Sequence, residues 1–154
     1  PAHELVIVHR VATDAPGPYP PPHQIGRLLW MLLDARGVAG IGPDPSLAGS
    51  GRQPLTGEKL IAALTQNRFH FLMPNGLIEG GDRIYKLTFD VHETMILTAE
   101  SYPPIKGGWT IRDDRCCVDI DGFKDCLAVV DGRDRLMFYD QTGTLFVAAE
   151  KGAP

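Results

Sequence analysis

Between Arg115 and Cys126 the alternation of apolar and polar residues reverses about Asp121-Gly122, and that reversal defines a β-hairpin residue by residue. Asp-Gly favours a two-residue type I′ turn, which pairs Ile120 with Phe123, Val118 with Asp125 and Cys117 with Cys126. The register sets Asp119 opposite Lys124 as a cross-strand ion pair. It also puts Cys117 and Cys126 at a non-hydrogen-bonded pair, where Cα atoms approach most closely and a disulfide can form. Cys116, Val118, Ile120, Phe123, Leu127 and Val129 then share the expected core face, while Arg115, Cys117, Asp119, Lys124 and Cys126 share the outer one. Asp125 is the one polar residue on the inner face, so it belongs near an open end or in an internal hydrogen bond.

Short alternating runs continue from Arg68 to Ala149, separated by turn signals at Pro74-Asn75-Gly76, Gly80-Gly81-Asp82, Asp90 to Glu93, Pro103 to Gly108, Asp113-Asp114, Asp131 to Asp134 and Asp140 to Gly143. Tyr85, Leu87 and Phe89, then Leu136 and Phe138, and Leu145 and Val147 carry the apolar face along. From Asp113 onward the turns recur about every ten residues, as in an up-and-down antiparallel meander. The fold class expected is mainly β with N-terminal helices, the meander forming a curled sheet or a closed, calycin-like barrel. Closure would remove the exposed sheet edges.

Upstream the periodicity changes. Residues 3–11 form a β-branched run consistent with one strand, and Ala15 to Pro22 is a proline-rich stretch, either a stiff connector or a ligand for a proline-reading module. Ile25, Leu28, Leu29, Leu32 and Leu33 then follow the spacing of an amphipathic helix ending near Gly37. Trp30 and Met31 lie off that stripe, so the helix either packs across the mouth of the main fold or offers a docking surface. With Tyr19 of the proline arm, they are the candidate partner-binding residues. Residues 37–55, rich in Gly, Pro, Ser and Ala, read as a linker or long loop. A second helix follows, with Thr56 as N-cap, Glu58 in its first turn and Leu60, Ile61 and Leu64 on one face. The chain thus divides into an arm, residues 1–54, and a helix plus barrel-like module, residues 55–154.

Composition narrows the function. With 154 residues, 44% hydrophobic and 22% charged, the chain suits one core of ordinary size. A net charge of −4 and the lack of any Lys/Arg block argue against nucleic acid and anionic membrane surfaces as partners. No apolar run approaches the ~20 residues that span a bilayer, so membrane insertion by a helix is not expected. Of the three cysteines, Cys116 is left as a buried free thiol once Cys117 and Cys126 pair. The disulfide implies an oxidising compartment, periplasmic or extracellular, while Pro1, the residue that initiator-Met removal would expose, keeps a cytoplasmic alternative open.

Catalytic chemistry is hard to find. His3, His9, His23, His70 and His92 lack ligand spacing, and the aspartates between Asp119 and Asp134 do not follow the calcium-loop pattern. Gly49-Ser50-Gly51-Arg52 lacks the Lys-Ser/Thr of a phosphate loop, and neither Gly-x-Ser-x-Gly nor Cys-x-x-Cys occurs. No metal, cofactor or catalytic residue is assigned. A catalytic N-terminal proline of the tautomerase kind needs a βαβ unit, which the meander does not supply.

Taken in order, Leu55-Thr56-Gly57-Glu58, Met73-Pro74-Asn75-Gly76, Gly107-Gly108-Trp109-Thr110-Ile111, and Cys117 and Cys126 followed by Asp131-Gly132 resemble a pattern in small, poorly characterised bacterial proteins and domains. The likeness covers about residues 55–146 and implies an extracytoplasmic β-rich module; it implies no activity. Cys116 and the first fifty-odd residues lie outside it. The leading expectation is a non-catalytic β-barrel module that binds a protein partner through its N-terminal arm or serves as an accessory subunit. One alternative is a binding protein for an apolar small molecule, with Phe69, Phe71, Tyr85, Phe89 and Trp109 as walls and His70 and Asp125 as polar groups. The other is a cyclase- or isomerase-type enzyme that confines its substrate in the barrel, with Tyr85, His70 and Asp125 as its polar groups.

Overall fold

The Asp121-Gly122 hairpin forms in the expected register. Both turn residues take positive φ, 47° and 80°, Ile120 pairs with Phe123 and Cys117 with Cys126, and the two sulfurs are joined. Lys124 Nζ lies 2.8 Å from Asp119 Oδ2 on the outer face. Asp113 and Asp114, with φ 50° and 55°, make a second turn of the same hand one hairpin earlier.

These turns belong to a computed structural model that describes residues 22–35, 37, 46–73, 83–100 and 102–152. Helix α1 spans Pro22–Ala35 and α2 Gly57–Thr65; the strands are β1 (Arg68–Met73), β2 (Arg83–Phe89), β3 (Thr94–Ala99), β4 (Ile105–Arg112), β5 (Arg115–Ile120), β6 (Phe123–Asp131), β7 (Arg135–Tyr139) and β8 (Leu145–Gly152). Each strand is antiparallel to the next, and β8 returns to β1, so the eight form a closed up-and-down barrel of calycin-like shape. Glycine permits one of its bends. A Cβ on Gly107 would lie 2.6 Å from the Asp119 carbonyl oxygen and 2.7 Å from Ile120 Cβ, so β4 can press against β5 only without a side chain there.

Helix α2 plugs one end. It feeds directly into Arg68 at the start of β1, and Leu60 and Leu64, one turn apart, are wholly buried in the core with Phe69, Trp109 and Leu136. Ile61, expected on the same face, is 42% exposed because it lies a quarter turn round from Leu60. Thr56 stands at the N-cap with extended backbone but makes no side-chain cap bond. Instead Asp114 Oδ1 accepts from the Gly57 N–H at 3.0 Å, which ties the helix to the β4–β5 turn.

Residues 46–55, read from composition as a linker, are irregular but fastened to the barrel. The Leu47 N–H donates to the Gly143 carbonyl and the Leu55 N–H to the Val129 carbonyl, each at 2.7 Å. Leu47 covers an outward-facing apolar patch of Ala128, Val130, Met137, Tyr139 and Leu145. Hence Leu127 to Val130 are all buried, with β6 covered on both faces there.

Helix α1 is held to the β7–β8 turn by Arg27, whose Nη1 donates to the Thr142 carbonyl and to Thr144 Oγ1, both at 3.1 Å. Its exposed side is Leu28, Met31 and Leu32, each about half exposed (54%, 51% and 46%). Leu28 and Leu32 therefore leave the stripe that periodicity assigned to packing, whereas Trp30, placed off that stripe, is half-buried beside Leu29 and Leu33. The expected strand at 3–11, the proline segment up to Pro21 with Tyr19, and the turns at 74–76 and 80–82 fall outside the described residues, while Pro22, the last of those prolines, opens α1.

If Leu60 and Leu64 close the barrel, Leu60→Ala should lower unfolding stability by about 2–5 kcal/mol in urea titration. Ile61→Ala, half in water, should cost less than about 1 kcal/mol.

Candidate functional site

The barrel end opposite α2 holds a cavity of about 170 Å³. Phe71, Leu87, Phe89, Met95 and Leu97 line it from β1 to β3, Ile105, Val118 and Ile120 from β4 and β5, and Phe123, Leu127, Phe138, Phe146, Val147 and Ala149 from β6 to β8. It reaches the end where β4 begins at Ile105 and where Asp121 turns β5 into β6. Asp121 is the one polar residue among these walls. An apolar cavity of about 150 Å³ stays dry and accepts benzene or xenon, so this one has room for a single ring or a short alkyl chain.

A bulge supplies part of the wall. Phe138 pairs with Val147 and Tyr139 with Leu145, leaving Phe146 as the extra residue on β8. Phe146 and Val147 thereby both pack on the core, while Leu145 joins the outer patch. This corrects the simple alternation that put Leu145 on the inner face with Val147.

The bulge lies beside a seam. The β6–β7 ladder ends at Ala128 and Tyr139, although β6 starts at Phe123, and the β8–β1 ladder ends at His70 and Glu150. Across the first gap the rings of Phe123 and Phe146 stack, 5.1 Å apart and 11° from parallel. Cys126, at a non-hydrogen-bonded pair with Cys117, turns its backbone polar groups toward that gap. Side chains satisfy both: Asp125 Oδ1 accepts from the Cys126 N–H at 2.7 Å, and Arg115 Nη1 donates to the Cys126 carbonyl at 3.3 Å. Gln141 Nε2 donates to the same Asp125 oxygen at 3.0 Å, bridging β6 to the β7–β8 turn.

The residues singled out from sequence divide into three sets. Phe71 and Phe89 line the cavity. Phe69, Tyr85 and Trp109 are inner rings packed around them. Phe69 meets Phe89 and Phe138 edge-on at 6.0 and 6.5 Å, and Trp109 meets Phe89 at 5.4 Å while its Nε1 donates to the Asp90 carbonyl at 2.9 Å. Tyr85 stacks on Phe71 at 5.6 Å, and its buried hydroxyl has no hydrogen-bond partner among the described residues. His70 and Asp125 lie elsewhere. His70 sits on the outer face over Gly152, where a Cβ would come within 2.6 Å of its ring. Asp125 lies in an outer groove with Cys117, Lys124, Cys126 and Gln141. Leu97, Ile105, Phe123 and Phe146 were not among the residues expected in the site. For Phe146 the only sequence hint is the unbroken apolar run Leu145-Phe146-Val147.

Electrostatics add little reactive chemistry. Burial pushes the Cys116 thiol up to about 12, so it is a neutral core side chain near pH 7. Among the described residues no three His, Cys, Asp or Glu side chains gather as a metal-ligand set. What this geometry offers is a shaped apolar recess. Compared with protein-family models, with curated protein sequences and with solved structures, the chain matches none.

Under denaturing conditions without reductant, a thiol reagent should titrate one cysteine, Cys116; three, or a bridge through Cys116, would contradict the pairing. Because the folded thiol titrates far above its ordinary range, its contribution to stability should be flat below about pH 9 and fall above it, as only the unfolded chain then loses this proton. Cys116→Ala should flatten that alkaline slope in melts from pH 8 to pH 11 run against wild type.

Proposed function

We propose that this chain is a non-catalytic binding module of the calycin-like kind that holds an apolar group in the mouth of its barrel. The cavity carries this reading: its fourteen apolar walls and single carboxylate match the composition of small-molecule sites, which are concave, mostly apolar and few in polar groups. The sealed opposite end gives a ligand one side to approach from. The disulfide favours work in an oxidising compartment, periplasmic or extracellular, in keeping with the modules that residues 55–146 resemble. Confinement catalysis is the weaker reading, because His70 and Asp125, two of its three polar groups, point away from the cavity.

One observation favours a second role for the arm. Leu28, Met31 and Leu32 form an apolar patch on α1 at helical spacing, and the barrel leaves it uncovered. In this reading a protein partner, as for an accessory subunit, docks there without disturbing the cavity. Leu28→Glu with Met31→Glu in the full chain should leave the melting temperature unchanged and remove a stoichiometric partner that co-purifies with wild type.

The cavity is tested by calorimetry with ethylbenzene. Wild type should bind one equivalent, and Val118→Phe, which fills the recess, should abolish binding while keeping the barrel folded. No binding by wild type, or undiminished binding by the filled variant, would refute the proposal.

A further inference from the structure

The carboxylate of Asp121 bears on what kind of molecule the cavity takes, an inference that rests on the cavity's being the binding site. Every other side chain in its wall is apolar. The turn itself does not call for a charge, since asparagine suits the positive φ of 47° as well as aspartate does. Among the described residues the charge is not neutralised locally. Lys124, three residues on, is taken by Asp119 at 2.8 Å, Lys106 lies on the opposite face of β4 from Ile105, and Asp121 makes no ion pair with a described residue. Beside it Phe123 and Phe146 are only half-buried at the rim, and aromatic faces attract cations. Among the described residues the mouth thus combines ring-sized apolar space, aromatic rims and one negative charge without an ion-pair partner.

We infer that the ligand is an organic cation, with an apolar group of about one ring's size seated in the cavity and an ammonium at the rim against Asp121 and the Phe123–Phe146 pair. An anion of the same shape would meet the Asp121 charge on a chain already at −4. Salt should weaken the discrimination, since Asp121 is exposed and its field is screened.

The test compares three probes of matched shape by calorimetry at low salt: phenethylammonium, 2-phenylethanol and phenylacetate. Wild type should bind the ammonium about three- to tenfold more tightly than the alcohol, and phenylacetate most weakly. Asp121→Asn, which preserves the turn, should bring ammonium and alcohol to the same affinity. High salt should narrow the same gap in wild type, a reading that needs no variant. Equal affinities in wild type at low salt, a preference that survives Asp121→Asn, or tighter binding of phenylacetate would overturn the inference while leaving the apolar site standing. Failure of all three probes together with ethylbenzene would remove the site itself.

Discussion

Three backbone pairs, Arg68 with Gly152, Phe69 with Lys151 and His70 with Glu150, close this sheet on itself. Without them β1 and β8 would be open edges, exposed to pairing with another chain. At Gly152 the imidazole of His70 lies over the Cα, in the space a side chain would take. The closing ladder is also short and lies wholly at the α2 end. Beyond it β8 runs free of β1, and there the bulge at Phe146 and the recess occur. The two barrel ends therefore differ: the plug of Leu60 and Leu64 and the closing ladder fasten one, while at the other the β6–β7 and β8–β1 ladders stop short, and ring stacking and side-chain hydrogen bonds bridge the first of these gaps.

That difference also separates what could be read from the sequence from what could not. The β5–β6 hairpin was legible to the residue because three local signals agreed: an Asp-Gly turn, an opposed ion pair and an opposed cysteine pair. The antiparallel meander followed from turn spacing. Helix α2 was visible as an amphipathic run, yet periodicity alone could not say that it fills a barrel end, nor that Asp114, far along the chain, would cap it in place of Thr56. Asp125 shows a subtler limit. Alternation put Asp125 on the inner face, near an open end or hydrogen-bonded inside, but it lies in the outer groove, where its partners are Cys126 and Gln141 at the interrupted ladder. Interruptions and bulges arise from closing the whole sheet, so no local pattern announces them. The aromatics expected as walls were mostly core rings, and the rim was built by Phe123 and Phe146, which only the register brings together.

The disulfide takes on a mechanical role in this setting. It joins β5 to β6 on the outer wall at Cys126, the residue whose other backbone groups face the seam and are held by Asp125 and Arg115. One side of the weakly laddered mouth is thus anchored covalently, while the β7–β8 side is held by Phe146 and Gln141 and from outside by Leu47 and Arg27. Small displacements of that hairpin would widen the recess without breaking a backbone ladder. A recess bounded in this way suits reversible binding of a small guest.

The central claim is that the end opposite α2 holds real, accessible apolar space. A crystal of the protein under xenon pressure measures this most directly, since xenon marks dry cavities without needing the right ligand. The account predicts one ordered xenon among Phe71, Leu97, Val118 and Phe138, with the α2 end unoccupied. No xenon at that position, with those four side chains packed against one another instead, would contradict it.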